Sequence, residues 1–253
     1  MTAAPLLEAR ELVKRFGGLN ATDRLSLSVA KGELHALIGP NGAGKTTLIG
    51  QLSGELKPDG GRILFDGRDV TTLPVHRRAQ RGLARSFQIT SVFPSFTALD
   101  NVALAVQAHA GHSFRFWRDA ARDPALSDPA RAVLERVGLG PRANTPASAL
   151  AHGEKRQLEL AMALATGPKL LLLDEPMAGM GPEESTRMVR LLAELKGGVT
   201  ILLVEHDMDA VFALADRITV LVRGAALATG APAAIRADAA VREAYLGDER
   251  EAV

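Results

Sequence analysis

Two hydrophobic textures alternate along the chain. Leu25-Ser26-Leu27-Ser28-Val29 switches between apolar and polar at every step, the period of a half-buried strand. Arg62-Ile63-Leu64-Phe65 is a short run between the turn signals Pro58-Asp59-Gly60-Gly61 and Asp66-Gly67. These stretches predict an antiparallel β layer near the start. Leu34-His35-Ala36-Leu37-Ile38, Leu170-Leu171-Leu172-Leu173 and Ile201-Leu202-Leu203-Val204 are nearly continuous apolar runs, as expected of parallel strands buried on both faces, and Ile218 to Val222 adds another strand. Helical spacing separates them. Pro74 to Arg81 reads as a short helix ended by Gly82. From about residue 90 to 165 the texture is helical. Thr97 and Asp100 stand as a capping box ahead of Leu99, Val102 and Val106, and Asp128-Pro129 opens a helix that Gly138 closes. Pro182 to Lys196 carries Met188, Leu191, Leu192 and Leu195 on one face and stops at Gly197-Gly198, and Pro232 to Leu246 is mostly short helix. The pattern predicts an α/β core interrupted by a helical insertion.

Composition changes this picture only by exclusion. The 253 residues allow one large domain or two small ones. A net charge of +1 argues neither for a nucleic-acid binder nor for an acidic-ligand trap, and no nucleic-acid partner is expected. With no cysteine, disulfides and thiolate metal sites are excluded. No signal-like segment and no apolar run of about 18–20 residues is present. The expected location is therefore cytoplasmic, with any membrane association made through a partner. His76, Arg77, Arg78 and Arg81, with Arg85 following, are expected on a solvated helix face. Phe114-Arg115-Phe116-Trp117-Arg118, with Arg122 following, is either a surface for a membrane partner or aromatic packing with outward arginines. His109 and His112 have no carboxylates clustered with them, which argues against a metal site.

The chemistry concentrates in two places. Gly39-Pro40-Asn41-Gly42-Ala43-Gly44-Lys45-Thr46 lies between a strand and a helix-like segment that starts with Thr47, in the form G-x-x-x-x-G-K-[ST]. Its glycines let successive N–H groups turn toward an anion, and the helix adds its positive dipole end. Lys45 is expected to reach the β- and γ-phosphates of a nucleoside triphosphate, and the Thr46 hydroxyl to coordinate Mg2+. The second place is Asp174-Glu175, at the end of a buried strand. Asp174 is expected on the Mg2+ shell, and Glu175 beside an attacking water, where general-base assistance is worth about 10²–10⁴ in rate.

With these motifs in this order, nearly the whole chain resembles the nucleotide-binding domain of an ABC (ATP-binding cassette) transporter. The resemblance implies a RecA-like phosphate-loop core with a parallel sheet, an antiparallel β subdomain and an inserted α-helical subdomain. It implies one ATP-binding domain over 1–253, with the core at about 1–89 and 166–253 and the helical subdomain at about 90–165. Gln88 corresponds to the glutamine that touches Mg2+ and senses the membrane partner, and His206 to the histidine that contacts the γ-phosphate and the catalytic glutamate. Phe16 corresponds to the adenine-stacking aromatic. Leu150-Ala151-His152-Gly153-Glu154 corresponds to the signature usually written L-S-G-G-Q, which completes the ATP site of a second subunit, head to tail. Two positions depart from the pattern. Ala151 lacks the signature serine's hydroxyl, and Gly181 stands where many members carry aspartate.

Phe16-Gly17-Gly18-Leu19, Arg81 to Gln88 and Val241 to Gly247 are similar to ATP-binding subunits of branched-chain amino acid importers. Branches that import urea or short amides, or extract lipopolysaccharide, share much of this texture. The implied function is Mg2+-dependent ATP hydrolysis that drives an amino-acid importer. The implied partners are a second ATP-binding subunit (identical or not), two transmembrane permeases on the inner face of the membrane and, indirectly, a periplasmic solute-binding protein. Phe93 and Phe96 are candidates for the coupling surface or for the core. Other readings are a cassette that acts on nucleic acid or ribosomes, against which the missing coiled-coil insertion and the single cassette both argue, and one that binds ATP with little turnover.

Overall fold

In a computed structural model of the chain, residues 4–86, 92–110 and 123–248 are described. Gln88, His112, the Phe114–Arg118 cluster and Arg122 lie outside them. The β layer forms from β1 (Leu7–Phe16), β2 (Leu19–Val29), β4 (Gly60–Phe65) and β5 (Arg68–Asp69), in the antiparallel order β2-β1-β4-β5. Between β2 and β4 the chain enters the second sheet as β3 (Leu34–Ile38), followed by α1 (Lys45–Ser53). The second sheet is completed by β6 (Leu83–Arg85), β7 (Leu170–Asp174), β8 (Thr200–Val204), β9 (Arg217–Val222) and β10 (Ala225–Gly230), in the order β10-β9-β3-β8-β7-β6. Only the β10–β9 pair is antiparallel; β9, β3, β8, β7 and β6 run the same way.

The apolar runs do what two-sided burial requires. Leu171 and Leu173 of β7, with Ile201 and Leu203 of β8, join one core cluster, while Leu170, Leu172, Leu202 and Val204 join the other. The first cluster packs the sheet against α3 (Ala98–Ala110), α4 (Pro124–Arg136), α5 (His152–Ala165), α6 (Pro182–Leu195) and α7 (Met208–Leu214). The second joins the opposite face to α1 and the β layer. The described residues finish with α8 (Pro232–Ala237) and α9 (Ala239–Asp248). Among the described residues, no helix is long and apolar enough to cross a membrane.

Several expectations change. The short helix α2 (Val75–Ala79) does not present all of its arginines to solvent. Arg78 is fully buried, and its guanidinium donates to the carbonyls of Gln51, Leu52, Leu73 and Thr71 at 2.7–3.0 Å. Arg85 is turned inward as well, with a side chain only 9% exposed. The helix predicted from Asp128-Pro129 starts five residues earlier: Asp123 accepts from Ala125 N–H, Pro124 occupies the first turn, and Pro129 lies inside. Two Asp-Pro pairs five residues apart both resemble starts, and packing of Leu126 and Ala130 selects the first. The Thr97–Asp100 capping box forms as expected, with Thr97 N–H to Asp100 Oδ2 at 3.2 Å and Asp100 N–H to Thr97 Oγ1 at 3.1 Å.

Candidate active site

Parallel strands end on one side of their sheet, and loops that leave those ends converge there. β3 runs into Gly39–Thr46, β7 ends in Asp174, and β8 leads to Glu205 and His206, with β8 hydrogen-bonded between the other two. Glycine is required where the loop passes other backbone. A Cβ on Gly39 would stand 2.1 Å from the Leu221 carbonyl oxygen, and one on Gly44 the same distance from that of Ala21. Gly44, at φ +100°, is the residue from which α1 springs. Ala43 and Lys45 are buried, Asn41, Gly42 and Thr46 are exposed, and Pro40 and Thr47 are half-buried. The Lys45 ammonium bends back over the loop and donates to the carbonyls of Gly39 (2.5 Å) and Pro40 (2.9 Å).

Asp174 is almost wholly buried. Its Oδ2 accepts from Arg85 at 3.1 Å, while Oδ1 is buried without a hydrogen-bond partner among the described residues. Burial raises its pKa above the ordinary aspartate value, and the neighbouring Arg85 and Lys45 charges oppose this. An unmatched carboxylate oxygen near a lysine-bearing anion loop, with a threonine hydroxyl on that loop, is an oxygen donor set suited to a hard divalent cation.

The next residue, Glu175, takes a left-handed conformation at φ +52°, a strain of about 1–3 kcal/mol for a non-glycine residue. Two backbone bonds hold it there: Glu175 N–H to Val204 O at 2.9 Å, and Ala178 N–H to Glu175 O at 3.1 Å. This geometry brings Glu175 Oε1 to 2.6 Å from His206 Nε2. His206 is an exposed residue following β8 rather than a buried structural histidine. Beneath the pair lies Glu205, which the sequence reading passed over. It is buried, and it accepts from the backbone N–H groups of Met177 at 2.9 Å and His206 at 3.0 Å. It thus ties the segment after β7 to the segment after β8. Burial raises its pKa above the ordinary glutamate value, partly offset by those N–H groups. An acidic residue directly after a buried strand was its only signal in the sequence.

Phe16 ends β1 with its ring half exposed and the Lys14 ammonium 5.7 Å from the ring centroid. Asp59 anchors this strand end, accepting from Lys14 Nζ and Arg15 N–H at 2.8 Å each, and its pKa is lowered chiefly by the Lys14 bond. The segment 151–154 opens α5. Glu154 accepts from Ala151 N–H at 2.9 Å and from Arg142 at 2.9 Å, and His152 Nε2 lies 3.3 Å from the Ala178 carbonyl. Gly153 is buried where a Cβ would collide with the Glu184 carboxylate, 2.5 Å away. Glu184 in turn caps Gly181 N–H at 3.2 Å. The start of α5 and the turn that precedes α6 are therefore packed together within one chain.

A glycine loop between strand and helix, with carboxylates on the adjoining strand ends of a mostly parallel sheet, defines a phosphate-loop nucleotide-binding protein. A family model described as ABC transporter matches residues 22–178, and another, described as Branched-chain amino acid ATP-binding cassette transporter, matches 227–251. The chain belongs to the ABC transporter family. It is 42% identical to the high-affinity branched-chain amino acid transport ATP-binding protein LivG of Escherichia coli K12, over 96% of this chain and 98% of that protein. It is 40% identical to the corresponding protein BraF of Pseudomonas aeruginosa, with the same coverage. Its fold matches the crystal structure of the ADP conformation of an ATP-binding cassette of an ABC transporter, with a TM-score of 0.85 at 30% identity, over 97% of this chain and 100% of the other. A nucleotide-free cassette gives a TM-score of 0.83 at 30% identity, over 95% and 98%.

Proposed function

We propose that the chain is the ATP-hydrolysing subunit that drives an importer of branched-chain amino acids. The observation that carries hydrolysis is the Glu175–His206 contact of 2.6 Å, beside the phosphate loop and Asp174. With Glu175 ionised, His206 Nε2–H donates to Oε1, and Oε2 is left to accept a proton from the water that attacks the terminal phosphate. Lys45 exchanges its two loop carbonyls for phosphate oxygens, and backbone N–H groups between Asn41 and Thr47 turn toward them. Phe16 offers its exposed face to the adenine. Thr46, Asp174 and Gln88 would hold Mg2+, which would supply neutralisation of the phosphate charge. The residues from about 90 to 165 form the helical subdomain in this reading, and those at 1–89 and 166–253 the nucleotide core.

Ala151, His152, Gly153 and Glu154 complete the site of a second subunit, where the Gly153 N–H and the α5 dipole meet its nucleotide. Binding closes the pair, hydrolysis reopens it, and the motion passes to two membrane permeases that hold the chain at the inner face of the membrane. The importer assignment rests on 40–42% identity to proteins named for branched-chain amino acid transport, over almost the full chain.

Phosphate release by the purified protein with Mg-ATP, against Lys45→Ala as control, tests hydrolysis; equal rates would overturn it. Glu175→Gln is expected to accumulate an ATP-bound dimer, seen as a doubled mass in light scattering with Mg-ATP. A variant that stays monomeric there defeats the sandwich mechanism. Ala151 favours one rival reading, a cassette that binds ATP and barely turns it over. Its missing hydroxyl removes a hydrogen bond to a charged group worth about 1.5–3 kcal/mol.

A further inference from the structure

A third charged side chain converges on the carboxylate at the end of β7. Arg85 is the last residue of β6, which pairs in parallel with β7 so that Arg85 stands opposite Leu172, two positions before Asp174. The next residue keeps the ladder going, with Ser86 N–H donating to Leu172 O at 3.0 Å. From this fixed backbone the nearly buried guanidinium spans two carboxylates. Nη2 donates to Asp174 Oδ2 at 3.1 Å, and Nη1 donates to Glu55, just beyond α1, with Ser53 Oγ 3.5 Å away. Asp174 thus has one oxygen held and the other, Oδ1, buried without a partner among the described residues. Holding one oxygen of so short a side chain fixes where the other points.

We propose that Arg85 is a positioning residue for the divalent cation that accompanies the nucleotide: anchored by Glu55, it clamps Asp174 Oδ2 and so presents Oδ1 to the cation. The inference rests on the proposed role of Asp174 as a cation ligand. A planar guanidinium suits the task because its separate nitrogens engage two carboxylates at once in a fixed geometry, whereas an ammonium is a single point charge. Electrostatics and positioning make opposite predictions. As a mere counter-ion, Arg85 repels an incoming cation, and its removal strengthens cation binding. As a clamp, it orders the ligand, and its removal weakens cation binding.

The affinity of a fluorescent ATP analogue, measured with Mg2+ and again with EDTA, separates the two in wild type, Arg85→Gln and Arg85→Lys. The ratio of the two affinities reports the cation's contribution, and general damage to the fold does not move it selectively. In Arg85→Gln the ratio is expected to fall by roughly tenfold or more, the usual effect of removing a side chain that orients a metal ligand, while the EDTA affinity stays at the wild-type value. Arg85→Lys keeps the charge that balances Asp174 and Glu55, so it carries the test if Arg85→Gln does not fold. Its ratio is expected to stay several-fold below wild type. An unchanged or raised ratio in Arg85→Gln, or a wild-type ratio in Arg85→Lys, overturns the proposal. A wild-type protein whose binding ignores Mg2+ would instead refute the cation site itself.

Discussion

At Gly39 a methyl group is already too large. The atom it would strike, the Leu221 carbonyl oxygen, belongs to the β9 backbone and cannot swing aside as a side chain would. Gly39→Ala is therefore expected to displace the loop and weaken binding of a fluorescent ATP analogue by more than about tenfold, at a strain of about 1–3 kcal/mol, with the far-ultraviolet circular dichroism of the protein preserved. Glu205 makes a different prediction, in pH. Its ordinary value is 4.5, and burial raises it in the folded state. Folding thus favours its protonated form, a stabilisation present below the unfolded value and lost as pH rises through the folded one. The stability of wild type relative to Glu205→Gln, which does not titrate there, should fall as pH increases through that window. Thermal melts of both proteins at a series of pH values check the sign.

Helix α1 shows how one element depends on another. Its first turn follows the phosphate loop, while the carbonyls of Gln51 and Leu52, near its last turn, receive the Arg78 guanidinium from α2. A cation at a helix C-terminus also meets the negative end of the dipole. Burial lowers the Arg78 pKa to about 10, still far above neutrality, so the side chain stays charged. Arg78→Met leaves four carbonyls without this donor, those of Gln51 and Leu52 buried and those of Leu73 and Thr71 partly so. At about 1–3 kcal/mol for a buried unsatisfied group, and with some relaxation, a loss of about 3 kcal/mol in unfolding free energy is expected in chemical denaturation. The near-neutral charge of the whole chain placed this arginine with its neighbours on a solvated face. A five-residue helix has too few turns for periodicity to say which one points inward. In the 14-residue α6, by contrast, Met188, Leu191, Leu192 and Leu195 are all buried, as their spacing predicted.

Across the whole molecule, exposure takes Phe93 and Phe96 out of the core and leaves them candidates for a coupling surface. Phe93 and Phe96 are 52% and 42% exposed, with ring centroids 5.4 Å apart. Their loop is held by the fully buried Asn101 of α3, whose side-chain oxygen accepts from Phe93 N–H and whose amide donates to the Phe93 and Thr97 carbonyls. An exposed aromatic pair fixed from below suits a partner's apolar surface, since little side-chain freedom is lost on docking. Replacing both by serine is expected to leave ATP hydrolysis by the isolated chain unchanged and to abolish its recovery with membranes when permeases are co-expressed. Fractionation and a phosphate assay read the two effects. The phosphate loop, Asp174-Glu175, the buried strands and the α/β rhythm were legible in the chain because each is a local pattern: a spacing, a period, a strand ending in charge. So was the family resemblance, which rests on motif order. The Glu175–His206 contact was implied only through that resemblance, and the Glu205 tie, the inward Arg78 and the Arg85 clamp were not legible at all, because each joins residues 27 to 89 positions apart or depends on which way one side chain turns. Sequence alone determined which chemical groups the protein owns and which strands carry them. The tertiary structure decided which groups meet, because only the order β6-β7-β8-β3 brings those strand ends side by side.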